Sequence, residues 1–209
     1  MNRRDVLSAI SVAAATGVLA GATRFAHAAG VDVNAILNDP ADPTAGNPKG
    51  DVTIVTFFDY NCPFCKKYAP DLQSLVRTDG HIRLVYKDWP ILTPASVYGA
   101  RAALAAKYQD RYEAVHHALM GIAGRRVSEA SMSEAVAKSG VDVARLAADQ
   151  QAHSAEIDAL LRKHLAQANA MGLQGTPTYL VGPFLIAQSL DLAGFKRAVD
   201  QARERQAAK

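Results

Sequence analysis

The pattern of apolar and polar residues along the chain predicts a small β-sheet. Four apolar runs are rich in β-branched and aromatic residues, the composition that favours strands. These runs are residues 52–58, 82–87, 179–181 and 184–186. Gly50-Asp51 precedes the first run and Gly182-Pro183 separates the last two, so turns are expected at both places. The last two runs therefore predict a hairpin.

Between and after these strands, apolar residues recur every three or four positions, which is the period of an amphipathic helix. One such stretch follows the first strand, starting at Pro63. A longer series follows the second strand, at Val97, Ala100, Leu104, Tyr108, Tyr112, Val115 and Leu119. Further helices are expected near 131–134, 141–151 and 157–168, with a terminal helix over 191–205. The predicted order is strand, helix, strand, a helical insertion, strand, strand and helix, which is an α/β arrangement.

Residues 1–28 have the features of an export signal. Arg3-Arg4 is followed by an alanine-rich apolar stretch over 10–22, and Ala26-His27-Ala28 is a small-residue cleavage pattern. An N-terminal membrane anchor is the alternative, but the apolar stretch is short for a spanning helix and rich in Ala, Gly and Thr. Residues 29–48 are expected to form an irregular lead-in with at most one short helical turn near 33–37.

With the signal set aside, composition describes an ordinary globular chain. The formal net charge of +3 includes the arginines of the signal, so the remainder is nearly balanced. No basic stripe with interleaved aromatic residues occurs, and nucleic acid is not an expected partner. The charge pattern therefore points to no polyanionic ligand, and the candidate chemistry lies with the cysteines.

The two cysteines of the chain lie in the tetrapeptide Cys62-Pro63-Phe64-Cys65, directly after the first strand. Proline is favoured in a first helical turn, so Cys62 is expected at the N-terminus of the following helix. There the unpaired backbone N–H groups and the helix dipole stabilise an anion, which lowers the pKa of the thiol. Cys65, one turn inside the helix, is expected to be more buried.

Three interpretations of this pair remain open. A metal site needs two further ligands, and adjacent His116 and His117, on different sides of a helix, do not form a second clustered pair. A structural disulfide between Cys62 and Cys65 closes a very short ring and gains little from chain entropy. A redox dithiol is favoured, in which Cys62 forms a mixed disulfide with a substrate and Cys65 closes it.

A second motif, Gly175-Thr176-Pro177-Thr178, precedes the third strand. By itself it predicts only a loop entering a strand. Together with Cys-Pro-x-Cys on a helix and the order of elements, it resembles the DsbA-type branch of the thioredoxin-like thiol-disulfide oxidoreductases over residues 44–205. The resemblance implies a thioredoxin-like fold with an inserted helical domain: residues 49–92 and 172–209 are the thioredoxin-like part and 93–171 the insertion.

The resemblance also implies roles for individual residues. Cys62 matches the nucleophile, Cys65 the resolving thiol, and Pro177 the cis-proline that packs against the dithiol and presents the backbone of the preceding residue to a substrate chain. The residues expected to contact the substrate are Pro63, Phe64 and Thr176. No metal and no cofactor are expected.

Two positions depart from the family pattern. Many members have an acidic residue six positions before the first cysteine, where this chain has Thr56. Asp59 and Lys87 are then the remaining candidates for a general base that serves Cys65. Phe64 occupies the position of a histidine in strongly oxidising members, so a milder oxidant is expected.

Phe64 is also expected to be exposed, and with Trp89 and Tyr179 it is a candidate apolar rim that accepts unfolded polypeptide. Trp89 in the core is the alternative interpretation.

The function implied is that of a periplasmic thiol-disulfide oxidoreductase, exported by the twin-arginine or the general secretory route, that forms or exchanges disulfides in folding proteins. Its expected partners are unfolded or cysteine-containing exported proteins and a membrane redox partner that recycles the dithiol. The oxidase role is slightly favoured over the isomerase or reductase role. The alternative from another class is a non-catalytic surface protein on a thioredoxin scaffold, whose disulfide is structural.

Overall fold

The computed structural model describes residues 31–208, and its centre is a pair of parallel strands, β2 (Val52–Phe58) and β3 (Ile82–Asp88). Nearly every residue of both strands is buried, because helices cover both faces of the sheet, and this explains their almost continuous apolar sequence. Three strands join them antiparallel in the sheet order β1-β3-β2-β4-β5. These are β1 (Thr44–Gly46), β4 (Thr178–Val181) and β5 (Phe184–Ile186).

Helix α2 (Pro63–Asp79) begins a few residues after β2, and it ends at Gly80 in the left-handed conformation that favours glycine. The last helix, α8 (Leu192–Ala207), packs beside α2. Its Arg203 guanidinium donates to the carboxylates of Asp51 and Asp79 at 2.9 and 2.7 Å, which ties the last helix to the start of β2 and the end of α2.

Five α-helices and a short 3₁₀ helix (Lys107–Gln109) lie between β3 and β4. The α-helices are α3 (Pro94–Ala106), α4 (Tyr112–Met120), α5 (Glu129–Lys138), α6 (Val143–Ala152) and α7 (Ser154–Ala170). Helix α3 is the centre of this group and contacts the other four. Its small buried residues bring the neighbouring helices close, and they include Ala100, Ala102, Ala103, Ala105 and Ala106.

The face of the sheet opposite α2 and α8 has a second, smaller core around Phe57, Val85 and Trp89, to which the short helix α1 (Val33–Leu37) contributes Ile36. A buried charged cluster lies on the same face of the sheet. In it, the Lys87 ammonium is paired with the Asp42 carboxylate. The other oxygen of that carboxylate is 2.8 Å from Nε2 of His164. Each buried charge in the cluster therefore has a partner.

The expected α/β thioredoxin-like fold is confirmed, and one expectation at its edge is wrong. Residues 44–46, expected in the irregular lead-in, form strand β1, in which Thr44 pairs with Val85 of β3. Three residues are too few to show a period in the sequence, and the strand exists because β3 offers it a free edge. The export signal expected over residues 1–28 lies outside the described residues. Within residues 31–208, no helix combines the length and the apolar character needed to cross a membrane.

Candidate active site

Cys62 is the N-cap of helix α2. Its Sγ accepts the backbone N–H of Cys65 at 3.1 Å, and its backbone carbonyl accepts the N–H of Lys66 at 3.1 Å. Pro63 occupies the first turn, where a missing N–H costs nothing. Cys62 therefore lies where the sequence predicts it, with its sulfur directed at the unpaired amides of the helix start.

The second motif lies against this sulfur. Pairing of Phe57 with Thr178 in the β2–β4 ladder brings the loop before β4 to the end of β2, and the Thr176–Pro177 peptide bond is cis. The protonated Cys62 thiol donates to the carbonyl oxygen of Thr176 at 3.2 Å. The structure thus brings together the two sequence motifs, which are more than a hundred residues apart along the chain.

The electrostatic environments of the two thiols are opposite. A hydrogen bond from the Cys65 side chain lowers the pKa of Cys62 to about 6, against the effect of burial, and the backbone N–H groups of Cys65 and Phe64 assist. Burial raises the pKa of Cys65 well above its usual value, and the nearby Cys62 sulfur raises it further. At neutral pH, Cys62 is therefore the thiolate and Cys65 the thiol.

Both cysteines are shielded from solvent, since Cys62 is 1% exposed and Cys65 is 3% exposed. The loop before β4 covers Cys62 from a direction that the local sequence around the cysteines does not reveal. Cys65 nevertheless lies deeper, as expected, because burial dominates its pKa whereas hydrogen bonds outweigh burial at Cys62.

Neither candidate general base is free to take a proton from Cys65, although the backbone of Asp59 lies close enough to the Cys65 thiol to oppose the rise in its pKa. The carboxylate of Asp59 accepts four hydrogen bonds, from the backbone N–H groups of Asn61, Ile91 and Leu92 and from the hydroxyl of Ser96. It holds the β3–α3 connection in place.

Lys87 fails for a different reason. It is paired in register with Phe57 and lies on the opposite face of the sheet from Tyr86 and Cys65, because successive strand residues alternate between faces. Its partner there is the carboxylate of Asp42.

The apolar rim is also different from the one predicted. Phe64 is 52% exposed as expected, but Trp89 and Tyr179 are buried in the core. The exposed apolar side chains on the Asp59-anchored connection are Ile91 and Leu92. The sequence pattern does not predict that these two side chains are exposed. Their exposure follows from the anchoring of their backbone N–H groups by Asp59.

Asn61, the residue before Cys62, joins the dithiol to the helical insertion. Its side-chain oxygen accepts the N–H of Val127 at 2.7 Å, and its side-chain nitrogen donates to the carbonyl of Val127 and the hydroxyl of Thr93. The backbone N–H and carbonyl of Val127 are therefore both bound to Asn61, which fixes the segment before α5 beside the active site.

Two cavities lie near the dithiol motif. A small, partly open cavity of about 20 Å³ is lined by Cys65, Pro177 and Thr56, together with the α4 residues His116 and His117. An open groove of about 490 Å³ lies on the other side of His117, between α2 and the α4–α5 connection. The residues of α2 that line this groove are Pro63, Lys66, Lys67, Ala69, Pro70 and Gln73.

The sequence gives no role to the two histidines beyond excluding a metal site. His116 is fully buried, and its Nδ1 is 3.1 Å from the hydroxyl of Tyr60, two residues before Cys62. The apolar period of α4 is the one sequence signal that bears on their location, since it directs His116 inward with Tyr112 and Val115. Within residues 31–208, no group of three or more His, Cys, Asp or Glu side chains is arranged to hold a metal ion.

Comparison with known protein families gives a match over residues 38–201 to the family described as thioredoxin. A solved structure with a similar fold is a thioredoxin-like oxidoreductase from Silicibacter pomeroyi DSS-3. It is 41% identical, covers 83% of this chain and 99% of its own length, and superposes with a TM-score of 0.77.

Among characterised proteins, the thiol:disulfide interchange protein DsbA of Bordetella parapertussis is 26% identical over 195 residues, which is 90% of this chain and 92% of that protein. The Na⁺/H⁺ antiporter NhaA 1 of Mycolicibacterium gilvum is 26% identical over 170 residues, and this chain spans 27% of its length. The antiporter match therefore concerns one part of a longer protein.

Proposed function

The chain belongs to the thioredoxin family, in its DsbA-type branch, and we propose that it is an exported thiol-disulfide oxidoreductase acting through Cys62 and Cys65. The observation that carries the proposal is the position of the Cys62 sulfur at the start of α2, 3.1 Å from the backbone nitrogen of Cys65 and 3.2 Å from the carbonyl oxygen of Thr176. This position lowers the pKa of Cys62, whereas burial raises the pKa of Cys65. A reactive thiolate next to a protonated partner is what dithiol exchange requires.

In the proposed reaction, the Cys62 thiolate attacks one sulfur of a substrate disulfide, and the other substrate sulfur leaves as a thiolate. Cys65 then loses its proton and attacks Cys62, which forms the Cys62–Cys65 disulfide and releases the second substrate thiolate. In the opposite direction, a substrate thiolate attacks Cys62 of the oxidised protein, and Cys65 leaves as a thiolate that takes up a proton. A second substrate thiolate then attacks the substrate sulfur of the mixed disulfide, which forms the substrate disulfide and displaces Cys62 as a thiolate. The low pKa of Cys62 makes it the better leaving group when the mixed disulfide is broken.

The residues that would contact a substrate chain surround this sulfur. Pro177 presents the backbone of Thr176 beside Cys62, and the exposed Phe64 ring lies in the same motif as the nucleophile. Pro63, between the two cysteines, lines the open groove. An extended polypeptide with an accessible sulfur fits these contacts.

The proposed place of action is the periplasm, supported by the signal-like residues 1–28 and by the DsbA relative. The proposed partners are unfolded or cysteine-containing exported proteins and a membrane protein that reoxidises or reduces the dithiol. The oxidase direction is favoured because the thiolate of Cys62 stabilises the reduced form, which makes the disulfide the stronger oxidant.

The experiment is equilibration of the purified chain with a glutathione redox series, with the two thiols counted by alkylation and a Cys62→Ser variant as the control. We expect a potential between about −120 and −180 mV, the range of disulfide donors and isomerases. A potential below about −180 mV would instead favour reductase work. A bond that stays oxidised below about −300 mV would identify a structural disulfide and refute the enzyme proposal.

A further inference from the structure

Cys65 can attack the mixed disulfide only after it loses its proton, and its surroundings oppose that loss. Burial raises the pKa of its thiol well above the usual value. The family position that often holds an acid is Thr56, and Asp59 and Lys87 are occupied elsewhere. The proton acceptor for this step must therefore come from another part of the site.

The small cavity beside Cys65 offers a path for the proton. Its volume of about 20 Å³ is enough for one water molecule. Thr56 lines it with a hydroxyl, and four titratable side chains other than Cys65 line it as well: Tyr86, His116, His117 and Tyr179. Burial raises the pKa of Tyr86 and that of Tyr179 far above neutrality, so both phenols carry a proton and neither is a base.

The two histidines differ in what they can do with a proton. His116 is fully buried and packed against the rings of Phe58, Tyr86 and Tyr112, and burial lowers its pKa to about 3. His116 does not line the open groove. His117 is half-buried, and it lines the open groove as well as the cavity. Among the described residues that line the cavity or the groove, His117 is the one titratable side chain that lines both.

Gln73 of α2 keeps the His117 ring in this position, with its side-chain nitrogen 3.3 Å from Nδ1. Gln73 lines both spaces too. A side-chain amide has a donor and an acceptor, so it can pair with either tautomer of the imidazole. The ring can therefore take a proton on one nitrogen and release one from the other without leaving its place.

We propose that His117 is the group that accepts the Cys65 proton during resolution of the mixed disulfide and passes it to the open groove. The proposal rests on the redox function proposed above. In the step, the Cys65 S–H bond breaks and its proton moves through the cavity to His117. The Cys65 sulfur then forms a bond to Cys62, and the substrate sulfur leaves with the electron pair of the broken disulfide.

Burial leaves His117 neutral at pH 7, because it lowers the pKa of the ring from its usual value, and Glu113 on the same helix partly opposes this. From the other elements, the groups that face it are the following: Cys65, Tyr86 and Tyr179 across the cavity, His116 beside it, and Lys66, Lys67 and Arg125 along the groove. The cations of the groove favour release of the proton to solvent.

The test separates the two thiol steps in one reaction. Reduced protein is mixed with dithiodipyridine, which releases one chromophore when Cys62 forms the mixed disulfide and a second when Cys65 resolves it. We expect His117→Gln to slow the second phase by about 10- to 100-fold at pH 7, since a positioned general base contributes on this order or more. The first phase should be unchanged. His81→Gln, which alters an exposed histidine in the α2–β3 turn, should change neither phase.

The pH profile separates proton transfer from a structural effect. In the wild type, the second phase should rise up to the pKa of His117 and then stay level until direct ionisation of Cys65 overtakes it at about pH 8 to 9, whereas in His117→Gln it should rise about tenfold per pH unit towards the high pKa of Cys65. A wild-type second phase that already rises about tenfold between about pH 6.5 and pH 7.5 would overturn the proposal without any variant, so the test does not depend on folding of His117→Gln. A missing first phase would instead refute the proposed redox function.

Discussion

The pKa of Cys62 leads to a prediction about a single hydrogen-bond donor. The Cys65 side chain is the largest contributor to the low pKa of about 6, so we expect Cys65→Ala to raise it. A hydrogen bond to a charged group contributes about 1.5–3 kcal/mol, and one pKa unit is about 1.4 kcal/mol. Loss of this donor should therefore raise the pKa by about 1 to 2. At pH 7 the thiolate fraction would fall from about 90% to between about 50% and 10%.

The matched control is Cys65→Ser, which also lacks the resolving thiol but keeps an O–H donor at the same position. In both variants Cys62 is the single cysteine, so the rate of alkylation by iodoacetamide, measured from about pH 4 to pH 10, reports its ionisation alone. We expect the serine variant to titrate near pH 6 and the alanine variant higher, with rates that converge in alkaline solution. Equal titration curves for the two variants, or a curve centred near the usual thiol value, would refute the assignment of the donor.

Three further predictions concern the buried charges and the exposed ring. Asp42→Asn should lower the free energy of unfolding in urea by about 3–5 kcal/mol, because it leaves the Lys87 ammonium buried without its counter-ion. The control is Asp39→Asn, which removes the partner of a half-exposed lysine and should lower the free energy of unfolding by less than about 1 kcal/mol. Equal losses of stability in the two variants would contradict the argument from burial. Burial raises the pKa of Asp88 to about 7, so the folded protein keeps a proton that the unfolded chain has released, and this carboxyl opposes folding increasingly from about pH 4 to about pH 7. Over that interval the free energy of unfolding of the wild type should fall by up to about 4 kcal/mol relative to that of Asp88→Asn. Parallel curves of stability against pH for the two proteins would contradict this prediction. Phe64→Ser should weaken binding of an unfolded polypeptide, because a ring that is 52% exposed is removed, and the thiol alkylation rate should stay the same. Unchanged formation of mixed disulfides with a cysteine peptide would exclude Phe64 from substrate binding.

Local signals in the sequence were enough for the fold class and the two motifs. The apolar run of β2, the proline after Cys62 and the Thr-Pro pair before β4 each predict their structure from a few neighbouring residues. The order of these elements along the chain then identifies the thioredoxin-like fold. The residues expected at the dithiol, including Pro177, lie there.

The features that the sequence did not reveal depend on contacts between distant segments. Asp59 is excluded as a base by donors that come from a connection more than thirty residues later. The burial of Cys62 depends on the loop before β4, and the position of His117 depends on how α4 docks against α2. A period of three or four residues shows that α4 has a buried face, but it does not show which cavity lies beneath that face.

The side chain of Asn61 has a consequence for protein engineering. It imitates one rung of a β-ladder between two segments 66 residues apart, and it does so next to the nucleophile. A redox tetrapeptide transplanted with Asn61 onto a thioredoxin scaffold without the helical insertion would leave a buried amide with no partners, at a cost of about 1–3 kcal/mol. Chimeras of this protein should therefore exchange the residue before Cys62 together with the segment around Val127, as one inseparable unit.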